Sequence, residues 1–289
     1  MAGRKFRSDA FGHGPDGDGP RSRLDQTWQT LGVEQRGRTV IVRFDRGHRA
    51  NPLSLLALHE LTEVAQALAE CPHVSAVVLT GRTDGFCMGM DLKDPALAAA
   101  RVAGLAERRL SLRAGPRMCA AWEAVDAITI CAIEGWCVGG GVALAVACDL
   151  RVTARGAWLY VPEVERGMNM SWGSVPRISA LVGPARAKRL VALCERIDAE
   201  TALSWGLADR VCDDGGSLGA ALAIAKHAAT LPPTAMKMVK HDVNAAAHAL
   251  AGIGAHRDLE AFALLERSDD FAEGVQSFLE DRPATFTGD

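Results

Sequence analysis

The chain has 289 residues, 48% of them hydrophobic, which is ample for a large core and fits one domain with an appendage. Its net charge of −3 gives no pull toward nucleic acid or an anionic membrane surface. No apolar run approaches the ~20 residues needed to span a bilayer, no signal peptide is evident, and the eight cysteines form no CxxC pair, so buried reduced thiols in a cytoplasmic chain are expected.

Residues 1–27 stand apart. Phe11-Gly12-His13-Gly14-Pro15-Asp16-Gly17-Asp18-Gly19-Pro20 has almost nothing to bury and predicts a disordered tail. Its histidine and aspartates are read as solvated, not as metal ligands, and no metal site is expected elsewhere.

Order is expected from about Leu31. Thr39–Phe44 predicts a strand, and Asp45–Pro52 a polar loop. From Leu55 to Glu70 the apolar residues Leu58, Leu61, Val64, Ala65 and Leu68 recur at helical spacing. Ala76–Thr80 predicts a second strand, and Gly81–Gly89 a loop. The region from Ala96 to Val125 reads as helical and carries Arg109, Arg113 and Arg117 at four-residue spacing. Such a stripe can mark phosphate or RNA binding. A solvated or subunit-contact face fits better with the acidic overall charge and with the break at Gly115-Pro116.

Thr129–Ile133 is a short, β-branched run that suits a buried strand. Gly139, Gly140 and Gly141 follow, then the apolar run Val142–Ala147, a buried helix or strand. Read as strand, glycines and helix, this stretch sets bare backbone N–H groups at a helix N-terminus, where anionic oxygen is favoured. A tight turn before a packed core helix is the plainer alternative. Leu150–Thr153 and Trp158–Val161 read as strands that deliver Pro162-Glu163. Strand–helix–strand units at 39–80 and 129–152 predict an α/β layer architecture. Beyond Glu163 the chain reads as helical, with Pro184 at a helix start, Asp198 as an N-cap and Gly206 as a stop. Thr230-Leu231-Pro232-Pro233 sets off a final helical region, Thr234 to Leu279.

Ala132-Ile133-Glu134-Gly135-Trp136-Cys137-Val138-Gly139-Gly140-Gly141, Ala147-Cys148-Asp149 and Pro162-Glu163 together resemble the core signature of the crotonase (enoyl-CoA hydratase/isomerase) superfamily. Gly85-Phe86-Cys87-Met88-Gly89-Met90-Asp91-Leu92 resembles that family's first oxyanion-hole turn. The likeness runs over most of Val33 to Phe286. It implies an α/β crotonase-like (ClpP/crotonase) superhelix of ββα units over residues 28–231. Residues 232–289 would form a C-terminal helical trimerisation region, in a homotrimer or a hexamer made of two trimers.

The resemblance also implies the chemistry. The thioester carbonyl of an acyl-CoA would accept hydrogen bonds from the N–H groups of Met90 and Gly140, which stabilise an enolate. Glu163 would carry the proton. Met88, Gly89, Asp91, Gly139, Gly141 and Ala143 would shape the substrate site, and Met168 to Trp172, with Met168 and Ser171, would line the acyl pocket unless they merely pack the core. The basic residue expected before the first loop's Asn is Ala50 here, which leaves Arg49 and His48 for the nucleotide phosphates. Coenzyme A enters as part of the substrate, with no separate cofactor.

One departure matters. Hydratases of the family hold water between two glutamates, and the first of these positions is Ala143. One carboxylate must then do both jobs. Glu165 is read as surface charge, and Ser171 in place of a dehalogenase-type aspartate argues against dehalogenation. Single-glutamate relatives include double-bond isomerases and hydratase/lyases of aromatic, feruloyl-type enoyl-CoAs. Enoyl-CoA hydration or isomerisation is therefore the leading expectation. Hydration with carbon–carbon cleavage and a catalytically silent CoA-binding scaffold are the alternatives.

Overall fold

The computed structural model describes Leu24 and residues 26–289 other than 250 and 256, and the side chains of all of these but 253 and 254. The tail expected over residues 1–27 lies almost wholly outside the described residues.

The architecture is a six-stranded sheet with helices on both faces and a second, three-stranded sheet. Strands β1 (Leu31–Arg36) and β2 (Thr39–Phe44) form an antiparallel hairpin, with Leu31 opposite Phe44. From β2 the sheet continues in parallel through β3 (Ala76–Thr80) and β4 (Ile128–Ile133). Strand β5 (Trp136–Val138) leaves this sheet, while β6 (Leu150–Ala154) rejoins it beside β4. Strand β7 (Trp158–Tyr160) pairs with β5 in parallel and with β8 (Ile197–Asp198) in antiparallel fashion, and β9 (Arg210–Cys212) closes the main sheet beyond β6. Every residue of β3 is buried, as expected of a parallel strand covered on both faces.

Helix α1 (Leu55–Ala69) starts at Ser54, whose Oγ accepts the Ala57 N–H at 3.1 Å. The region read as one helical stretch divides into α2 (Pro95–Val102), α3 (Leu105–Leu112) and α4 (Ala114–Glu123). Arg109 belongs to α3, Arg113 joins α3 to α4, and Arg117 lies on α4, so the stripe is broken at Arg113, two residues before the Gly115-Pro116 pair, which lies inside α4. Pro116 sits in the first turn of α4, where a missing N–H costs nothing. Helix α5 (Gly140–Val146) is wholly buried, which settles the helix-or-strand ambiguity of that run.

After Glu163 come α6 (Ser174–Val182), α7 (Pro184–Val191), α8 (Ala199–Trp205) and α9 (Ser217–Ala228), with α8 capped by Asp198 and stopped by Gly206. This part was read as helical throughout; β8 and β9 are too short to show any alternation. Ala221, Ala225 and Ala228 of α9 pack on Ala76, Val78, Ile130, Ala132 and Val152, covering one face of the sheet. The final region holds α10 (Pro233–Ala247), α11 (Ala251–Ala255), α12 (Asp258–Leu265) and α13 (Asp269–Leu279).

Two acids from the glycine-rich signature serve the fold. Glu134 accepts the N–H groups of Gly215 and Ser217 at 3.0 and 2.9 Å, which caps the start of α9. Asp149 accepts the N–H and hydroxyl of Thr129 at 2.7 and 2.9 Å and pairs with the buried Lys240 of α10 at 2.7 Å. Among the described residues no disulfide forms, six of the eight cysteines are buried, and no helix is long and apolar enough to cross a membrane.

Candidate active site

Three segments meet at one cavity. The first is the loop before α2. Leu53 donates its N–H to Gly89 at 2.7 Å and accepts that of Asp91 at 2.8 Å, which pins Met90 beside Leu53. Gly89 has φ +86°, and a Cβ there would stand 3.0 Å from the Val138 carbonyl and 3.5 Å from the Gly140 nitrogen. The Met90 N–H finds no acceptor among the described residues. Asn51 holds the loop from beneath: its buried amide donates to the carbonyls of Phe44 and Phe86, each at 2.9 Å, and its oxygen accepts the Arg46 N–H at 3.1 Å.

The second segment is the glycine turn into α5. Gly139 donates to Tyr160 O at 2.8 Å, across the β5–β7 edge. Its backbone, at φ 49° and ψ −114°, lies where only glycine is comfortable. The next N–H, that of Gly140, begins the helix and has no acceptor among the described residues. The two unpaired donors are thus neighbours, contributed by separate loops.

The third segment is Glu163, which ends the run from β7. Its carbonyl accepts the N–H groups of Arg166 and Met168 at 3.0 and 2.9 Å, closing a 3-10 turn over Val164–Arg166. The residue as a whole keeps some contact with solvent, but its Oε2 is enclosed without a hydrogen-bond partner. Burial pushes this carboxyl up to about 7, against smaller pulls from its own backbone N–H and the Arg166 guanidinium. An acid poised there holds and releases a proton near neutral pH. Glu165, by contrast, is exposed and bonded by the Tyr160 hydroxyl.

The cavity has a volume of about 120 Å³, and Met90, Gly140, Ala143, Glu163, Met168 and Ser171 all line it. Leu55, Leu58, Leu97, Leu112, Leu259 and Phe262 make the rest mainly apolar, as small-molecule sites are. Ala143 is fully buried and presents a methyl to the cavity that Glu163 also lines. Gly89, Gly139 and Gly141 shape the backbone around the cavity without lining it. Asp91 pairs with Arg46 at 2.8 Å and lies outside the wall, as do the exposed Met88 and Arg49.

The expected stretch 168–172 lines the cavity, whereas Arg101, Arg108 and Glu266 are not singled out by the sequence. Asn169 has a buried Oδ1 without a partner. Arg101 of α2, Arg108 of α3 and Glu266 just beyond α12 meet at the cavity wall; Glu266 is bonded by Arg108, with Arg101 3.8 Å away. Their one signal is the amphipathic character of helices far apart in sequence, which does not say what those helices face.

The sequence profile described as Enoyl-CoA hydratase/isomerase matches residues 34–289. The chain is 31% identical over 258 residues to a probable enoyl-CoA hydratase, echA6, of Mycobacterium bovis, covering 89% of this chain and 99% of that protein. It is 27% identical over 260 residues to a crotonyl-CoA hydratase of Syntrophomonas wolfei, covering 90% and 98%. Among solved structures, a carnitinyl-CoA hydratase from Mycobacterium avium aligns with a TM-score of 0.78 at 30% identity, covering 91% of this chain and all of that one.

Proposed function

Since the chain belongs to the enoyl-CoA hydratase/isomerase family, we propose that it works on an acyl-CoA thioester with Met90 and Gly140 as oxyanion donors and Glu163 as the sole proton carrier. The fold is the crotonase fold and the protein is an enzyme of that family. The observation that carries the finer reading is the meeting, in one apolar cavity, of two acceptor-free N–H groups and an enclosed carboxyl held near 7.

The two N–H groups receive the thioester oxygen as negative charge develops on it, a contribution of about 3–4 kcal/mol per donor in enzymes generally. In isomerisation of a 3-enoyl thioester, Glu163 takes the proton from C2, the electrons spread over the dienolate, and the same carboxylic acid returns the proton at C4. In hydration, the water oxygen bonds to C3 while a water proton reaches C2 through Glu163, and the C2=C3 π bond is consumed. Either route runs through one carboxylate, since Ala143 offers no second one. Ala143 also favours a second reading, a CoA-binding chain without turnover; the orphaned, proton-holding Glu163 supports the catalytic one.

The chemistry proposed calls for no metal and no organic cofactor, and coenzyme A arrives as part of the substrate, with the exposed Arg49 available to its phosphates. A homotrimer, or a hexamer of two trimers, is supported by Met238, Val239 and Val243, which leave α10 with 63, 61 and 58% exposure. Eight cysteines without a disulfide among the described residues support a reducing, cytoplasmic setting. Light scattering tests the assembly, with a particle of 30.6 kDa counting against it. Turnover of crotonyl-CoA and of a 3-enoyl-CoA by wild type and Glu163→Gln, with solvent deuterium followed at C2, tests the chemistry. Wild-type rates in the variant would remove Glu163 from its role.

A further inference from the structure

Trp172 stands in a backbone conformation that its side chain disfavours. Its φ is +64°, followed by Gly173 at +67°. A bulky residue in the left-handed region is strained and persists only where its surroundings over-determine it. Here they do. The carbonyls of Trp172 and Gly173 both accept from Arg177 Nη1, at 3.0 and 3.1 Å. Arg177 is itself buried and bonds Glu123 of α4 at 2.5 Å. The Gly173 N–H donates to Asp258 of α12 at 2.8 Å, and the Ser174 N–H and hydroxyl close the turn on Ser171 O.

What this clamp holds is an indole ring pressed between two glycines. A Cβ on Gly115 would lie 2.0 Å from Cε2 of Trp172, and a Cβ on Gly140 would lie 2.8 Å from Cζ3. Gly140 supplies one of the two donors, so the ring lies directly beside the place where the thioester oxygen is received. The residual cavity of about 120 Å³ is smaller than the roughly 150 Å³ that accepts one benzene. A straight acyl group of about four carbons, smaller than benzene, fills a space of that order.

We propose that Trp172 is a specificity-determining residue that limits the enzyme to short acyl groups, a role resting on the acyl-CoA reading above. Arg177, Glu123 and Asp258 are its positioning residues. The ring replaces acyl volume next to the oxyanion donors, and longer chains lose because their methylenes find protein where space is needed.

The test is kcat/KM on 2-enoyl-CoAs of four, six, eight and ten carbons, for wild type, Trp172→Phe and Trp172→Gly. Glycine suits φ +64°, so that variant removes the ring and the backbone strain together. The readout is the ratio of eight-carbon to four-carbon substrate within each protein. Wild type should favour four carbons by about tenfold or more, the ratio should rise about tenfold in Trp172→Gly, and Trp172→Phe should fall between. Wild type that handles eight carbons as well as four overturns the proposal even if neither variant folds. Folded variants that keep the wild-type ratio overturn it as well. Should wild type turn over none of these substrates, the catalytic reading falls separately. Titration with butanoyl-CoA and octanoyl-CoA then reads the same ratio in Kd, and equal affinities, or no binding, sink the size limit.

Discussion

A Cβ on Gly139 would lie 2.6 Å from Oε1 of Glu163; the glycine turn and the acid are in contact across the site. The turn that frees the Gly140 N–H therefore also makes room for the carboxyl, so the proposed donor and the proposed proton carrier share one structural requirement.

Gly139→Ala is the corresponding test. The methyl meets the carboxylate and must also adopt φ 49° and ψ −114°, a combination costing on the order of 1–3 kcal/mol. Displacing a reacting group by about 1 Å costs about a hundredfold in rate. The variant should lose about that in kcat/KM and melt several degrees lower. Near-native activity with a native melting temperature would show that the contact does not matter.

The strands legible in the sequence are β2, β3, β4, β6 and β7, read from short runs rich in β-branched and aromatic residues. Strand β5 was hidden within a stretch whose glycines and tryptophan read as motif rather than strand, and β8 has only two residues. The two turns proposed to supply oxyanion donors were legible because their glycines recur in a motif that resembles a known family's, and main-chain donors demand such local glycines. The Trp172 clamp was not, since Glu123 lies 54 residues from Arg177 and Asp258 lies 85 from Gly173. Only the tertiary fold brings them together, and neither pair leaves a local pattern. Glu134 and Asp149 mislead in the opposite sense: they sit inside the functional signature but satisfy backbone and lysine donors.

Glu163 should make stability depend on pH. Burial holds its carboxyl at about 7 in the folded state, above the ordinary glutamate value of about 4.3, so the folded state binds the proton more tightly than the unfolded chain. Stability is then greatest below about pH 4.5 as far as this group is concerned, and falls as pH rises through 7. The loss is at most on the order of 3–4 kcal/mol. Glu163→Gln lacks the titration, so its stability relative to wild type should improve between pH 5 and pH 8. Urea unfolding at the two pH values measures this; a constant difference between the proteins would mean that the carboxyl is not desolvated.

Lys240 fastens the C-terminal helices to the core. Its ammonium, with 2% side-chain exposure, pairs with Asp149 and donates to the carbonyls of Val125 and Ala127 at 2.6 and 2.9 Å. Removing one partner of a buried pair costs about 3–5 kcal/mol. Asp149 keeps the two donors of Thr129, so Lys240→Met should fall at the low end, about 3 kcal/mol. The urea midpoint reports it. A loss below about 1 kcal/mol, the scale of an exposed pair, would show that Lys240 is not the fastening.

Ala143→Glu addresses the single-carboxylate mechanism directly. Ala143 is buried and lines the cavity that holds Glu163, so a glutamate there brings a second carboxyl into the same apolar space. Two acids so placed cannot both ionise easily, and one is held protonated while the other is charged. That is the division of labour hydration needs: one group to take a proton from water and one to deliver a proton to C2. Isomerisation, in which a single carboxylate moves a proton from C2 to C4, gains nothing from the newcomer. The variant should therefore raise crotonyl-CoA hydration by about tenfold or more while 3-enoyl-CoA isomerisation stays level or falls. Burying the added charge should lower the melting temperature, and a fold check by circular dichroism accompanies the kinetics. A folded variant with no gain in hydration would show that the missing acid is not what limits water addition.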